Sequence, residues 1–272
     1  VLNVGNAVLS VLFVIGFGCG IAGVVAASLL AEYGGLAVGL VVLARLLRER
    51  GVRLSLAPLR DLAAYRALVA VNGNIFIRTL CLIAAFAWFH AQGARFGDMP
   101  LAANAILLQM VNLLAYGLDG FAHAAEALVG EALGARDRAG YRWAVRATSA
   151  WAGATAMAYA LLYHALGPAF IAMLTDQPAL REAAAHYLPW VVAMPLLAVW
   201  SYQLDGIFIG SLRTREMRDG MILAFAAFLV AAFALPGAWG NHGLWAALGV
   251  FFVMRALTLL GFLRRNPPRF AD

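Results

Sequence analysis

Not one lysine occurs in this chain: all 20 basic residues are arginine. Charge of either sign is scarce, at 12% of 272 residues, where a soluble domain carries about 25%. That shortage excludes an ordinary water-exposed surface. With 64% hydrophobic residues and a mean hydropathy of +0.82, the chain reads as an all-α polytopic membrane protein. Cysteine is nearly absent as well. Cys19 and Cys81 each lie in an apolar run, which excludes a disulfide framework or a CxxC metal motif and suggests packed thiols. The formal charge of +6 is no nucleic-acid signal, because the arginines sit in short clusters between apolar runs without interleaved aromatics. Neither HExxH nor GxSxG is present, so no enzyme signature stands out, and no cofactor or metal site is expected. No charged leader precedes the apolar stretch from Leu2, which does not resemble a signal peptide; the chain is expected to open partway through a longer protein.

What is present is a succession of apolar runs. A first span runs to about Gly16, and a glycine-rich turn covers Gly16, Gly18, Gly20 and Gly23. A second span extends from about Val24 to Leu47. The arginine-rich stretch from Arg45 to Arg66, broken by Pro58, reads as an amphipathic linker between two bundles. Six further spans are expected over 67–90, from 101 through the polar stripe described below, and over 147–166, 186–212, 220–234 and 244–263. Loops at 91–100, 168–181 and 236–243 separate some of them. The total is eight helices.

Arginine distribution gives the orientation. The stretches after spans two, four, six and eight hold 6, 4, 3 and 3 arginines, whereas the opposite loops hold only Arg95 and Arg181. Cytoplasmic loops retain basic residues, so the arginine-rich ends and the C-terminus are expected inside.

One polar stripe orders the middle of the chain. Gln109, Asn112, Tyr116, Asp119, His123, Glu126 and Gly130 recur at alternating spacings of three and four, which puts them along one side of a helix. The other faces are apolar, so the stripe is expected to look at protein or a wet cavity. A charged side chain at the centre of a membrane helix is unfavourable by about 2.5 to 3.5 kcal/mol on insertion scales. Arg78, Asp119, Glu126 and Asp205 therefore need partners, protons or water. An unpaired carboxylate there has its charged form disfavoured and becomes a candidate for proton exchange. Arg78 is expected to pair with Asp119 or Glu126 in one state and to release it in another.

Other readings stay open beside these. Asp119 and Glu126 could form a polar clasp between helices or a solvated helix end. His123 could be a structural hydrogen-bond partner as readily as a proton relay. Arg255, inside span eight, could snorkel or pair. Asn72, Asn74, Asn104, Gln109 and Asn112 suit interhelical hydrogen bonds. Pro189 and Pro195 are expected to make a hinge beside Asp205, and Gly117, Gly120 and Gly130 to allow close helix approach.

Three stretches carry a family resemblance: NGNIFIRTLCLIAAFAWFHAQGARFGDMPLAANAILLQMVNLLAYGLDGFAHAAEALVGEALGARDRAGYRWAVRA from Asn72 to Ala147, NAVLSVLFVIGFGCGIAGVVAASLLAEY from Asn6 to Tyr33, and YQLDGIFIGSLRTREMRDGM from Tyr202 to Met221. Together they resemble the multidrug and toxic compound extrusion (MATE) transporters, DinF-like branch. The resemblance implies a twelve-helix fold of two lobes, of which this chain corresponds to helices five to twelve. Residues 1–47 would be the last two helices of the N-terminal lobe, 48–66 a cytoplasmic linker, 67–265 the six-helix C-terminal lobe and 266–272 a cytoplasmic tail. It implies a monomer in the bacterial inner membrane that exports amphipathic organic compounds in exchange for protons by alternating access.

The family's site residues carry over unevenly. An acidic residue on the first helix, implied to be the main cation-coupling group, lies outside this chain. On helix five, sodium-linked members show Asn followed four residues later by Asp. Here Asn6 keeps the first and Ser10 replaces the second, which tilts the expectation from sodium to protons. Asp205 falls near the acid of the tenth helix in other branches. The expected substrate and proton path is thus Asp119, Glu126, Arg78, Asp205, His123, Asn112, Asn74 and Asn6. Two rivals remain: a lipid-linked precursor flippase of the same superfamily, disfavoured because only one buried arginine is expected at the site, and an integral membrane enzyme using Asp119, His123 and Glu126.

Overall fold

The computed structural model describes residues 2–51 and 62–267. Most of the expected linker, and the end of the tail, lie outside the described residues. The described residues are helical throughout apart from short turns, with no β-strand among them. The helices are α1 (Leu2–Val11), continued by a π-helical turn over Leu12–Gly16, α2 (Gly20–Glu49), α3 (Leu62–Ala94), α4 (Asp98–Gly134), α5 (Arg138–Leu174), α6 (Pro178–Gly210), α7 (Thr214–Trp239) and α8 (Asn241–Arg265). Among the described residues, 7 helices, α2 to α8, are long and apolar enough to cross a membrane. Leu2–Gly16, expected as a full first span, is a shorter apolar segment.

Contacts divide the chain into two units, residues up to 64 and residues from 65 onward. In the first, α1 packs on α2, whose buried positions Gly23, Ala27 and Ala31 are four apart and small. A Cβ at Gly23 would meet the Phe13 backbone and side chain at 3.2 and 3.1 Å, so glycine there sets the approach of the two helices. The glycine-rich turn is tighter than expected: it reduces to Phe17–Cys19, with Gly18 and Gly20 at φ of 67° and 52°. Asn6 Nδ2 donates to Ser28 Oγ at 3.3 Å, and Asn6 Oδ1 accepts from Ser10 Oγ at 3.0 Å.

The second unit is built around α4 and α6. α4 lies against both α5 and α6, α6 also packs on α8, and α7 pairs with α8. α4 buries Leu107, Met110, Val111, Leu114, Leu118, Ala122, Ala125 and Val129 along one face, which sends the polar stripe to the other. α3 joins through side chains. Phe89 meets Trp245 and Trp88 meets Phe233, each with ring centroids 5.1 Å apart.

Several expected loops are instead helix. Pro168 lies inside α5, Pro178 starts α6, and α7 runs through Pro236 to a sharp turn at Gly240, φ 54°. Prolines mark turns reliably in water, but in apolar surroundings a free backbone group has no water to turn to and the helix continues past the missing donor. The same holds for Pro189 and Pro195, which sit within an unbroken α6.

Candidate functional site

Gly206 and Gly210 decide where the charges meet. They stand four apart on α6, and a Cβ at Gly206 would run into the carbonyl oxygen of Ala122, while one at Gly210 would come within 2.5 Å of the carbonyl oxygen of Glu126. Two glycines at this spacing let the α4 and α6 backbones touch. Of the α4 glycines, Gly130 joins this seam, since a Cβ there would lie 3.5 Å from the Gly210 carbonyl oxygen, and Gly117 receives the Tyr159 ring. Gly120 has open space around it and takes no part, contrary to expectation.

The seam brings Asp205 on α6 beside Asp119, one turn before Ala122 on α4. Asp205 is only 5% exposed. Its Oδ2 accepts from the guanidinium of Arg78 on α3 and, at 2.6 Å, from Nη2 of Arg255 on α8. Arg255 is 2% exposed, and its guanidinium lies 5.5 Å from the ring centroids of Tyr202, Phe251 and Phe252. Three helices, α3, α6 and α8, thus meet at one carboxylate. Two guanidiniums against one carboxylate leave a positive charge uncompensated, and Asp119, half-buried, lies close enough for Arg78, Asp205, Arg255 and His123 to act on it. Among the described residues, the buried Nε of Arg78 and the Nε and Nη1 of Arg255 have no hydrogen-bond acceptor.

This corrects the expected pairing. Arg78 meets Asp205, not Asp119 or Glu126, because the close α4–α6 seam places Asp205 within reach of α3. It also adds a second arginine to the one expected at the site: Arg255, buried, pairs instead of snorkelling, beside the partly buried Arg78. On sequence grounds alone Arg255 has no assigned role, and Gly206 and Gly210 do not stand out. An arginine in the middle of an apolar 25-residue helix, and a small-xxx-small pair directly after Asp205, were the available signals.

Among the described residues, none of the remaining expected residues bonds to that cluster. Glu126 and His123 pair with each other on α4, Oε2 to Nδ1 at 3.5 Å, and both face outward from the unit, as do Asn112, Gln109 and Tyr116. Asn74 is buried in a structural clasp, donating to Thr214 Oγ1 at 3.1 Å and accepting from Arg218 Nη1 at 2.9 Å. Asn6 belongs to the first unit. Among the described residues no group of three His, Cys, Asp or Glu side chains is arranged to hold a metal ion.

The MatE family profile matches residues 75–235. Over 265 residues, 97% of this chain, 38% are identical to DNA damage-inducible protein F of Escherichia coli (strain K12). The chain belongs to the MATE family. It is DinF-like, a multi-pass membrane protein of a family that carries small molecules and ions across membranes and whose members are transporters, not enzymes. It spans 57% of the length of the Escherichia coli protein. Among solved structures, the Vibrio cholerae MATE transporter VcmN superposes with a TM-score of 0.84 at 18% identity, covering 98% of this chain and 61% of that one. A MOP superfamily transporter from Pyrococcus furiosus gives 0.68 at 15% identity, covering 76% and 46%. These likenesses give the MATE fold.

Proposed function

We propose that this MATE chain belongs to a bacterial inner-membrane antiporter that exports amphipathic organic compounds in exchange for protons, by alternating access. Residues 1–47 would close an N-terminal lobe, 48–66 would link the lobes, and 67–265 would form the C-terminal lobe with the arginine-rich ends and the C-terminus in the cytoplasm. The transporter would work as a monomer in lipid.

The observation that carries this reading is the unequal commitment of two neighbouring acids. Asp205 is buried and bonded to two guanidiniums. Asp119 is half-buried, makes no hydrogen bond among the described residues, and lies within electrostatic reach of the same guanidiniums. Asp205 then anchors the cluster, and Asp119 is the group free to exchange a proton. An ionised Asp119 balances the excess positive charge; a protonated one leaves that charge to be met otherwise. Proton and substrate can drive opposite steps only if they favour different states, and this balance gives them the means. His123 and Glu126, on the outward face of α4 beyond Asp119, continue the proton path, and Asn112 lines the substrate side.

A second reading rests on Arg255. With two arginines, one buried and one partly buried, and three guanidinium nitrogens without acceptors, the cluster suits an anionic substrate headgroup, as a lipid-linked precursor flippase would require. The test is substrate-dependent proton flux in inverted vesicles bearing the full-length protein. Asp119→Asn should abolish the flux, and Arg78→Ala or Glu126→Gln should change its pH dependence. If transport and its pH dependence survive all of these substitutions, proton antiport through this path is wrong. Flux with anionic amphiphiles alone would favour the flippase.

A further inference from the structure

The charges on α5 are of another kind. Arg138, Arg142 and Arg146 recur every fourth residue, so they form one row along the first two turns. All three are exposed, and among the described residues none has an ionic or hydrogen-bond partner. Arg142 and Arg146 line an open groove of about 510 Å³ with Trp143, Ala139 and Ala147. The indole of Trp143 is 64% exposed, and Trp151, two turns on, is 67% exposed.

The depth of this groove follows from length. α5 has 37 residues, about 55 Å at the α-helical rise, against a hydrocarbon core of about 30 Å. Shared between its ends, the excess leaves about 12 Å, some eight residues, outside the core on each side. Arg138 to Arg146 therefore lies at headgroup level, with Trp143 where indoles form the interfacial belt and Trp151 where acyl chains begin. The nearest acids do not neutralise the row. Asp137 caps its own helix, accepting from the Gly140 amide at 2.9 Å, and with Glu131 it lines an adjoining groove that shares Trp143.

We propose that the groove over Arg142, Trp143 and Arg146 binds the phosphate of an anionic glycerophospholipid. The two guanidiniums clasp the phosphate oxygens, the indole covers the glycerol backbone, and the small side chains of Ala139 and Ala147 leave room for the lipid to lie along the helix. This site is separate from the Asp205 cluster and does not depend on what is transported.

The test titrates purified full-length protein in phosphatidylcholine-containing micelles with phosphatidylglycerol, counting bound lipid by native mass spectrometry. The double variant Arg142→Gln/Arg146→Gln should bind phosphatidylglycerol about twenty-five-fold more weakly, two surface charges each contributing about five-fold. Arg264→Gln/Arg265→Gln, which removes the same charge from the end of α8 but leaves the groove intact, should weaken binding clearly less than the α5 variant. Melting curves for both variants establish that they are folded, and Arg142→Lys/Arg146→Lys should retain part of the affinity. Three results would overturn the site: unchanged binding in the α5 variant, equal loss in the α8 variant, or displacement of the lipid by inorganic phosphate at matching concentration, which would assign the groove to a soluble anion.

Discussion

Arg255 reaches Asp205 from α8 at 2.6 Å, with its guanidinium surrounded by the rings of Tyr202, Phe251 and Phe252. Both partners are buried. Removing one member of such a pair leaves the other as an uncompensated buried charge, which costs about 3 to 5 kcal/mol, whereas replacing both with apolar residues can be neutral. Arg255→Met should therefore lower the melting temperature sharply. Asp205→Asn should do worse, because it strands two guanidiniums. The double variant Asp205→Leu/Arg255→Met should recover only part of the loss, since Arg78 still lacks its acceptor. Thermal unfolding in detergent measures all three.

The α4–α6 seam makes a second prediction. A methyl group at Gly206 collides with the Ala122 backbone, which cannot move aside as a flexible side chain would. Gly206→Ala should destabilise by about 1 to 3 kcal/mol as an overpacked contact, and should impair transport further by moving Asp205 away from Arg78. Gly120→Ala meets nothing within 4 Å and should be neutral or slightly stabilising through helix propensity. Parallel melting and transport assays on the two variants separate the cases.

A third concerns the buried polar knot between α4 and α8. Asn104 and Asn241 exchange two side-chain hydrogen bonds of 2.8 and 2.9 Å, and Trp245 donates to Asn104 Oδ1 at 2.8 Å. Asn104→Leu would leave the Asn241 amide and the Trp245 indole without partners, at about 1 to 3 kcal/mol for each group stranded. Trp245 fluorescence should shift and the melting temperature fall. A variant that melts like the parent would mean the knot contributes nothing.

The exposed pair on the stripe should behave differently. His123 and Glu126 are 3.5 Å apart with side chains 77% and 40% exposed, and such surface pairs contribute at most about 1 kcal/mol. His123→Gln should therefore leave the melting temperature almost unchanged. Any fall in proton-coupled transport by that variant then reports function, and a large loss of stability would show that the pair is structural.

Particular residues show how far the sequence could be read. The stripe from Gln109 to Glu126 was legible because helical periodicity is local: residues three and four apart share a face whatever surrounds them. Asp119 and Asp205 were legible as intramembrane charges because the energetics of hydrocarbon require an account of each. The partner of Arg78 was not, since Asp119, Glu126 and Asp205 are all short carboxylates and only the contact of two helix backbones at Gly206 selects among them. Arg255 lay plainly in its apolar run, but nothing local distinguishes a snorkelling arginine from a paired one. The prolines misled in the opposite direction, as the rule that they end helices assumes water at the break.

By itself, the sequence determined the solvent, the succession of helices and the side of α4 that carries the polar groups, because composition and periodicity act over one or two turns and need no partner. Tertiary structure alone decided which charges neutralise which. That choice depends on distances of a few ångströms between helices more than a hundred residues apart along the chain, as with Arg78 and Asp205, and it was made by two glycines that allowed α4 and α6 to touch.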